Sequence, residues 1–260
     1  MPGFRGGRYK RGMVPDYHHI AYVGLDVANP VRIEAVEAAA ERAALSAGSR
    51  VLDVGAGTGG VSAALARRFG YHVHAIERDR VMVSHIVARA RNEGLEDRLA
   101  VVQGQAPEAL ERLAPADMVV ALGSNRIAGP DVTSAAGIFE TLATVLARPG
   151  YVLWGDLVWT AEAPEPLRQV VELSGVYATD EGWRGAARSA GFDCLSVEMS
   201  PQSLWDAFFD GADARVRAWL EVNPGVEGVD ALRLRADQIR ATFDFGRPYL
   251  GFGLYLFRQA

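Results

Sequence analysis

Two carboxylates and a run of glycines carry the clearest chemistry in this chain. Asp53 stands two residues before Gly55 in VLDVGAGTGG (51–60), and Glu77 closes HVHAIE, 24 positions after Asp53. Gly55, Gly57 and Gly59 spell GxGxG, whereas Gly55, Gly57 and Gly60 spell GxGxxG. Between a strand and a helix, either spelling aims backbone N–H groups and a helix N-terminus at the carboxyl edge of a sheet. A dinucleotide would press its pyrophosphate against that turn, and a fixed carboxylate there would repel it. A ligand with an ammonium and a sulfonium in place of phosphate is instead attracted, directly or through water. Asp53 therefore favours the cationic ligand, and the small Ala56 and Thr58 keep the turn open for it. Glu77 can accept from both ribose hydroxyls of either ligand and does not discriminate. The plainer roles are a turn cap for Asp53 and a solvated strand end for Glu77. Their joint placement around one glycine turn favours the nucleoside.

Such residues need a sheet edge to hold them, and the pattern supplies one. ANPVRIEAVEAAAERAAL has apolar positions at helical spacing, with Asn29-Pro30 as a cap-like start. SRVLDVG is a short apolar run, as expected of a strand buried on both faces. GVSAALARRFG is a helix, YHVHAIE a strand, RVMVSHIVARARNEG a helix and LAVVQG a strand. ADMVVALG follows as a strand, SAAGIFETLATVLARPG as a helix and YVLWGDLVW as a fifth strand. This alternation predicts a parallel sheet with right-handed crossovers. DEGWRGAARSAG, FDCLSVEMS and LGFGLYLFRQ add a helix and two strands. Between those strands, residues 201–249 carry helical patterning, and an insertion of that length is usually functional.

Composition narrows the class. A chain of 260 residues, 49% hydrophobic, can bury a substantial core, and one α/β domain is expected. A net charge of −5 spread along the chain leaves no footprint for nucleic acid or an anionic membrane. The basic start, with Arg5, Arg8, Lys10 and Arg11 among glycines, reads as a loosely docked tail. There is no apolar run of about 18 residues and no signal-peptide core, so a cytoplasmic enzyme is expected. Cys194 is the single cysteine, which excludes an internal disulfide and a cysteine-built zinc site. His72, His74 and His85 lack a ligand pattern, and no metal is expected.

VLDVGAGTGG, HAIERD, VVQGQAPE, ADMVVALG and LARPGYVLWGD together resemble the seven-strand, class I S-adenosylmethionine-dependent methyltransferases. LGFGLYLFRQ is similar to their inverted last strand. GSNRIAG, GDLVW, RAWLEVNP and GFGLYLF resemble, more narrowly, a bacterial group acting on small molecules. The resemblance implies a Rossmann-like seven-stranded sheet with an antiparallel last strand, and a helical cap inserted between the last two strands. It implies one domain over 1–260: an N-terminal segment 1–29 over the active site, a core at 30–200 and 250–260, and a cap at 201–249. S-adenosylmethionine is the implied cofactor, leaving S-adenosylhomocysteine as product. Asp53, Gly55, Ala56, Gly57, Thr58 and Gly59 would line its methionine half, and Glu77 would hold the ribose. Arg78, Met82, Gln105 and Ala106 would meet the adenine, while Leu122, Gly123 and Ile127 would pack around the cofactor. The family commonly has Asp where Gln105 stands; the Gln oxygen still accepts from an adenine amino group.

In-line methyl transfer needs alignment first, which can supply on the order of 7–11 kcal/mol. A base helps a hydroxyl or ammonium acceptor and is unnecessary for a carboxylate. His18 and His19, in VPDYHHIAYVGLD, are candidate bases, of which at most one can face a pocket. The narrower group often has His and Arg before the Asn-Pro pair, where this chain has Leu25 and Asp26. Asn125 is a candidate hydrogen-bond partner of the acceptor, and its plainer role is shaping a loop. It lacks the Pro-Pro-aromatic context of nucleic-acid amino methyltransferases. Tyr22, Asp156, Trp159 and Trp205 are candidate substrate contacts, with Asp156 suited to steering a cationic amine and the aromatics otherwise plain core. The expected activity is methyl transfer to a small molecule, on oxygen or nitrogen sooner than carbon. Two alternatives stand beside it. One is a protein that binds the same cofactor without methyl transfer. The other is an NAD(P)-linked oxidoreductase, disfavoured by Asp53 and by Lys10 being the sole lysine.

Overall fold

The computed structural model describes residues 14–259, so the basic tail at 5–11 lies outside the described residues. Seven strands form one sheet: β1 (Arg50–Val54), β2 (His72–Glu77), β3 (Leu99–Gln103), β4 (Ala116–Leu122), β5 (Leu146–Trp159), β6 (Phe192–Met199) and β7 (Leu250–Gln259). Their order is β3-β2-β1-β4-β5-β7-β6. The first five run parallel, and β7 is antiparallel to both β5 and β6. The chain reverses direction across the sheet between β1 and β4, so loops from both halves meet at that carboxyl edge. The seven-stranded Rossmann-like sheet with its inverted last strand is therefore as expected.

Among the described residues ten helices accompany the sheet: α1 (Tyr17–Ala21), α2 (Ile33–Arg42), α3 (Gly60–Phe69), α4 (Arg80–Asn92), α5 (Ala106–Leu113), α6 (Ala135–Val145), α7 (Glu165–Glu172), α8 (Asp180–Ser189), α9 (Gln202–Val222) and α10 (Val229–Gly246). One apolar cluster buries the α2–α4 face of the sheet and takes in Leu153, Trp159, Trp205, Leu250 and Phe252. A second buries the α5, α6 and α8 face around Trp154, Trp183, Phe139 and Tyr255. A third joins α1 to the helical pair α9–α10 through Tyr17, Ile20, Val216, Leu220 and Leu232. Among the described residues no helix is long and apolar enough to cross a membrane.

Three local expectations are corrected. Asn29-Pro30 does not start the first long helix, whose cap is Arg32; Asn29 instead donates its side-chain amide to the Leu122 carbonyl at 3.0 Å. The segment LARPG belongs to β5 rather than to the end of α6, because Leu146 pairs with Ala116. Helices α1, α5 and α7 arise where no element was expected; they are only 5, 8 and 8 residues long, too short for a firm period.

Candidate functional site

The glycine turn links β1 to α3, and its backbone explains its composition. Gly55, Gly57 and Gly59 have φ of +71°, +56° and +76°, the left-handed region where a side chain is strained. Gly55 and Ala56 donate their N–H groups to the Ile76 carbonyl at 2.9 and 3.1 Å, which pins the turn to β2. Gly60 serves a different purpose. A Cβ there would lie 2.0 Å from the Asp26 carbonyl oxygen, so the N-terminal segment crosses directly over the helix start. The GxGxG spelling is thus the turn itself, and the extra glycine makes room for the chain's own strap.

That strap is held at several points. The Thr58 hydroxyl donates to the Leu25 carbonyl at 2.8 Å, and Arg89 pairs with Asp26 at 3.0 Å. Asn29 lies against Gly123, where a Cβ would approach its Oδ1 to 2.5 Å. Further upstream, His19 Nε2 meets Asp79 Oδ2 at 2.9 Å, while Asp79 Oδ1 caps α4 by accepting from Val81 and Met82. His18 points elsewhere, into solvent, paired with Asp16. The structure therefore sets His19 beside the β2–α4 connection and His18 on a separate cleft between α1 and α10, lined also by Ala231, Leu232 and Arg235.

Asp53 sits between Ala75 and Val120 in the sheet register and is 3% exposed. Ser62 Oγ, from the first turn of α3, donates to Asp53 Oδ2 at 2.5 Å, and the Ser62 backbone also favours the ionised carboxylate. Burial raises its pKa to about 6, with the nearby Glu77 charge adding to the rise and Ser62 opposing it. At neutral pH Asp53 is a mostly ionised group with little protein to balance it, an environment that welcomes a cation. Glu77 accepts the Gly57 N–H on Oε2 and the Asp79 N–H on Oε1, both at 2.9 Å. Each oxygen keeps a further lone pair, enough for a diol.

Around these two carboxylates the remaining positions distribute unevenly. Arg78 and Gln105 are exposed at the ends of β2 and β3, with Ala106 opening α5 and Met82 buried in the first turn of α4. Leu122 and Gly123 end β4, and the Gly123 N–H donates to the Gly155 carbonyl at 2.7 Å. Ser124, which the sequence reading missed, stands so close to Gly55 that a Cβ there would lie 2.0 Å from its Oγ. Ile127 turns into the core on the α5–α6 side, 1% exposed.

The loop after β4 also reaches β5. Asp156 lies one residue beyond the β4–β5 pairing and is 2% exposed. The Asn125 amide lies beside it and beside the Tyr177 phenol, favouring the ionised form of each. Asn125 and Asp156 are thus brought together, whereas Tyr22 and Trp205 are not brought to them. Tyr22 stacks on Phe208 of α9 at 5.6 Å between ring centres. Trp205 packs on Phe209 and Phe243 and lines a cavity of about 90 Å³ between α1, α9 and α10. Trp159 is buried at the end of β5 beneath the Arg168 guanidinium, 5.6 Å from the ring centre.

Comparison with known proteins gives this edge its identity. Residues 51–150 match the family model described as a methyltransferase domain. The Pyrobaculum aerophilum protein named "Probable cobalt-precorrin-6B C(15)-methyltransferase (decarboxylating)" is 30% identical over 198 residues, spanning 75% of this chain and 95% of its own. The chain belongs to the class I S-adenosylmethionine-dependent methyltransferases. As a class I methyltransferase it uses S-adenosylmethionine as its cofactor. This methyltransferase is also 26% identical to the Escherichia coli protein YjhP, over 80% of this chain and 84% of that one. Its fold is that of a Geobacter sulfurreducens S-adenosylmethionine-dependent methyltransferase solved with S-adenosylhomocysteine: TM-score 0.81, 23% identity, 96% of this chain and all of the other.

Proposed function

We propose that this methyltransferase transfers the methyl group of S-adenosylmethionine to oxygen or nitrogen of a small organic molecule by in-line displacement. The observation that carries the cofactor's placement is the buried, largely ionised Asp53 beside a glycine turn whose opposite side is bounded by Glu77. Asp53 balances the cationic methionine half. The turn from Gly55 through Ala56, Gly57 and Thr58 to Gly59 supplies its backbone, and Leu122, Gly123 and Ile127 close the side toward β4. Glu77 takes the ribose hydroxyls on its two remaining lone pairs. Arg78, Met82, Gln105 and Ala106 border the adenine. When bound, the cofactor supplies an electrophilic methyl on a positively charged sulfur. The protein's share of the catalysis is alignment and exclusion of water by the strap at residues 24–29.

The same reading treats residues 14–29 as a cover and α9–α10 as a helical cap on one domain, supported by the contacts of α1 with α9 and of α10 with α7. A small acceptor rather than nucleic acid is supported by the net charge of −5.

The test is a labelling reaction. Protein and S-adenosyl-[methyl-³H]methionine are incubated with a small-molecule extract, and separately with tRNA and with denatured protein. Label bound to oxygen or nitrogen of compounds in the extract is expected. Label confined to the macromolecules, or on carbon, contradicts the proposal.

A further inference from the structure

Asp156 is a buried acid that the fold leaves half satisfied. Its Oδ1 accepts the adjacent Leu157 N–H at 2.7 Å, while Oδ2 has no hydrogen-bond partner. Among the described residues it forms no ion pair: the Arg126 guanidinium is tied to the Leu173 and Ser174 carbonyls at 3.0 and 3.1 Å. The surrounding groups are polar but uncharged. Asn125 comes from the β4 loop, Tyr177 from the segment after α7 with its hydroxyl 2.7 Å from Ser174 Oγ, and β7 presents only Gly253 opposite Asp156. The Tyr177 ring packs against the apolar cluster that holds Trp159 and Trp205, while Trp154 and Val158, on the same face of β5 as Asp156, belong to the other cluster. Asn125 is the polar side chain set beside it, and no cation balances it; a buried carboxylate without a counter-charge at a sheet's carboxyl edge marks a binding group.

We propose that the methyl acceptor is an amine, bound as its ammonium to Asp156, which takes its proton, with Asn125 and Tyr177 as positioning residues. This rests on the reading of the glycine turn as the cofactor site. The choice of amine follows from charge and proton affinity. A carboxylate acceptor would be repelled by Asp156, and an alcohol is far too weak an acid to yield its proton to a carboxylate. A phenol (pKa about 10) resembles an alkyl ammonium (about 10.4) in proton affinity but brings no charge to offset the buried one. Burial raises Asp156 to about 7, which narrows the gap to the ammonium and suits a base working near neutrality.

The reaction balances simply. The ammonium gives one N–H proton to Oδ2, freeing the nitrogen lone pair. That pair forms the N–CH3 bond as the carbon–sulfur bond breaks, its electrons passing to sulfur, which becomes the neutral thioether. The product leaves as a methylated ammonium, and Asp156 releases its proton to solvent.

The test uses the full chain loaded with S-adenosylhomocysteine, whose binding is measured first on wild type and on Asp156→Asn. Failure of wild type to bind it counts against the cofactor reading, not against this one. Ligand-observed NMR then compares butylammonium, phenethylammonium and tryptammonium with 2-phenylethanol and 3-phenylpropanoate. At least one ammonium should bind wild type, tenfold or more tighter than the neutral and anionic probes, and weaken at least tenfold in Asp156→Asn. With a bound amine as substrate, kcat should fall about 10²–10⁴-fold in Asp156→Asn and partly recover in Asp156→Glu. The rise of wild-type rate through an apparent pKa near 7 should vanish in Asp156→Asn. Binding of the alcohol or carboxylate as tight as any ammonium, ammonium binding unchanged in Asp156→Asn, or no ammonium binding at all would each overturn the proposal. Asn125→Ala and Tyr177→Phe should lower kcat more than they raise KM. An effect on stability alone would assign them to scaffold.

Discussion

Replacing Asp156 by Asn is expected to make the protein more stable in alkaline buffer and no more stable in acid. The carboxyl has an ordinary pKa of 3.8, raised by burial to about 7. Between those values the folded protein keeps a proton that the unfolded chain has released, so stability falls as pH rises through that window. At 1.36 kcal/mol per pH unit the full cost is about 4 kcal/mol above pH 7. Asn never ionises and avoids the whole amount. Its NH2 group finds no ready acceptor where Oδ2 stood, which returns about 1 kcal/mol. The variant should therefore gain about 3 kcal/mol at pH 8, or roughly 6–12 °C in Tm for a chain of this size. Below pH 4, where the carboxyl is neutral in both states, only the unmet NH2 remains, and the variant should melt about 2–4 °C below wild type. Asp53 also titrates in this range, but it is common to both proteins and cancels. Thermal unfolding followed by circular dichroism in buffers from pH 4 to 8.5 checks the curve. A variant that melts at or below wild type at pH 8, or an advantage that persists in acid, would refute the description of Asp156 as an uncompensated buried acid.

Three further outcomes are expected. Asp53→Ala should lose most of the affinity for S-adenosylmethionine while keeping its circular dichroism spectrum; unchanged calorimetric affinity would remove Asp53 from the cofactor site. Glu77→Ala should weaken S-adenosylmethionine and S-adenosylhomocysteine by the same factor, since both carry the ribose, and unequal losses would assign Glu77 another contact. Gly60→Ala would drive a methyl to 2.0 Å from the Asp26 carbonyl, so about 1–3 kcal/mol of stability should be lost, with faster proteolysis before residue 30. A variant as stable and as protected as wild type would mean that the strap does not rest on the helix start.

The β–α alternation was legible because β1 and β4 are largely buried apolar runs and because α3 and α4 are followed by Gly70 and Gly94 in the left-handed region. The inverted last strand came from resemblance, since nothing in the period of LGFGLYLFRQ sets its direction. The glycine turn was readable for the same local reason: φ above zero at Gly55, Gly57 and Gly59 writes itself into residue type. Long-range contacts were not. Nothing in the sequence joined Asn29 to Leu122, Ser62 to Asp53, or Ser124 to Gly55, because each depends on which loops the strand order gathers at one edge. The doubled histidine shows the limit most plainly. Its pattern said that at most one could face inward, but only the fold could show that His19 meets Asp79, the cap of α4, while His18 stays in solvent. Asp156 and Asn125, by contrast, were separately visible as edge residues; their adjacency, and the orphaned oxygen between them, required the structure.

Calorimetric titration of the purified protein with S-adenosylhomocysteine, run beside NAD and NADP, bears most directly on the reading of the glycine turn. One-to-one binding of the thioether with no heat from either dinucleotide is expected, because the buried Asp53 carboxylate attracts the ligand's ammonium and repels a pyrophosphate. Binding of NAD or NADP without S-adenosylhomocysteine would contradict it, and would return Gly60 to the role of a phosphate-cradling glycine.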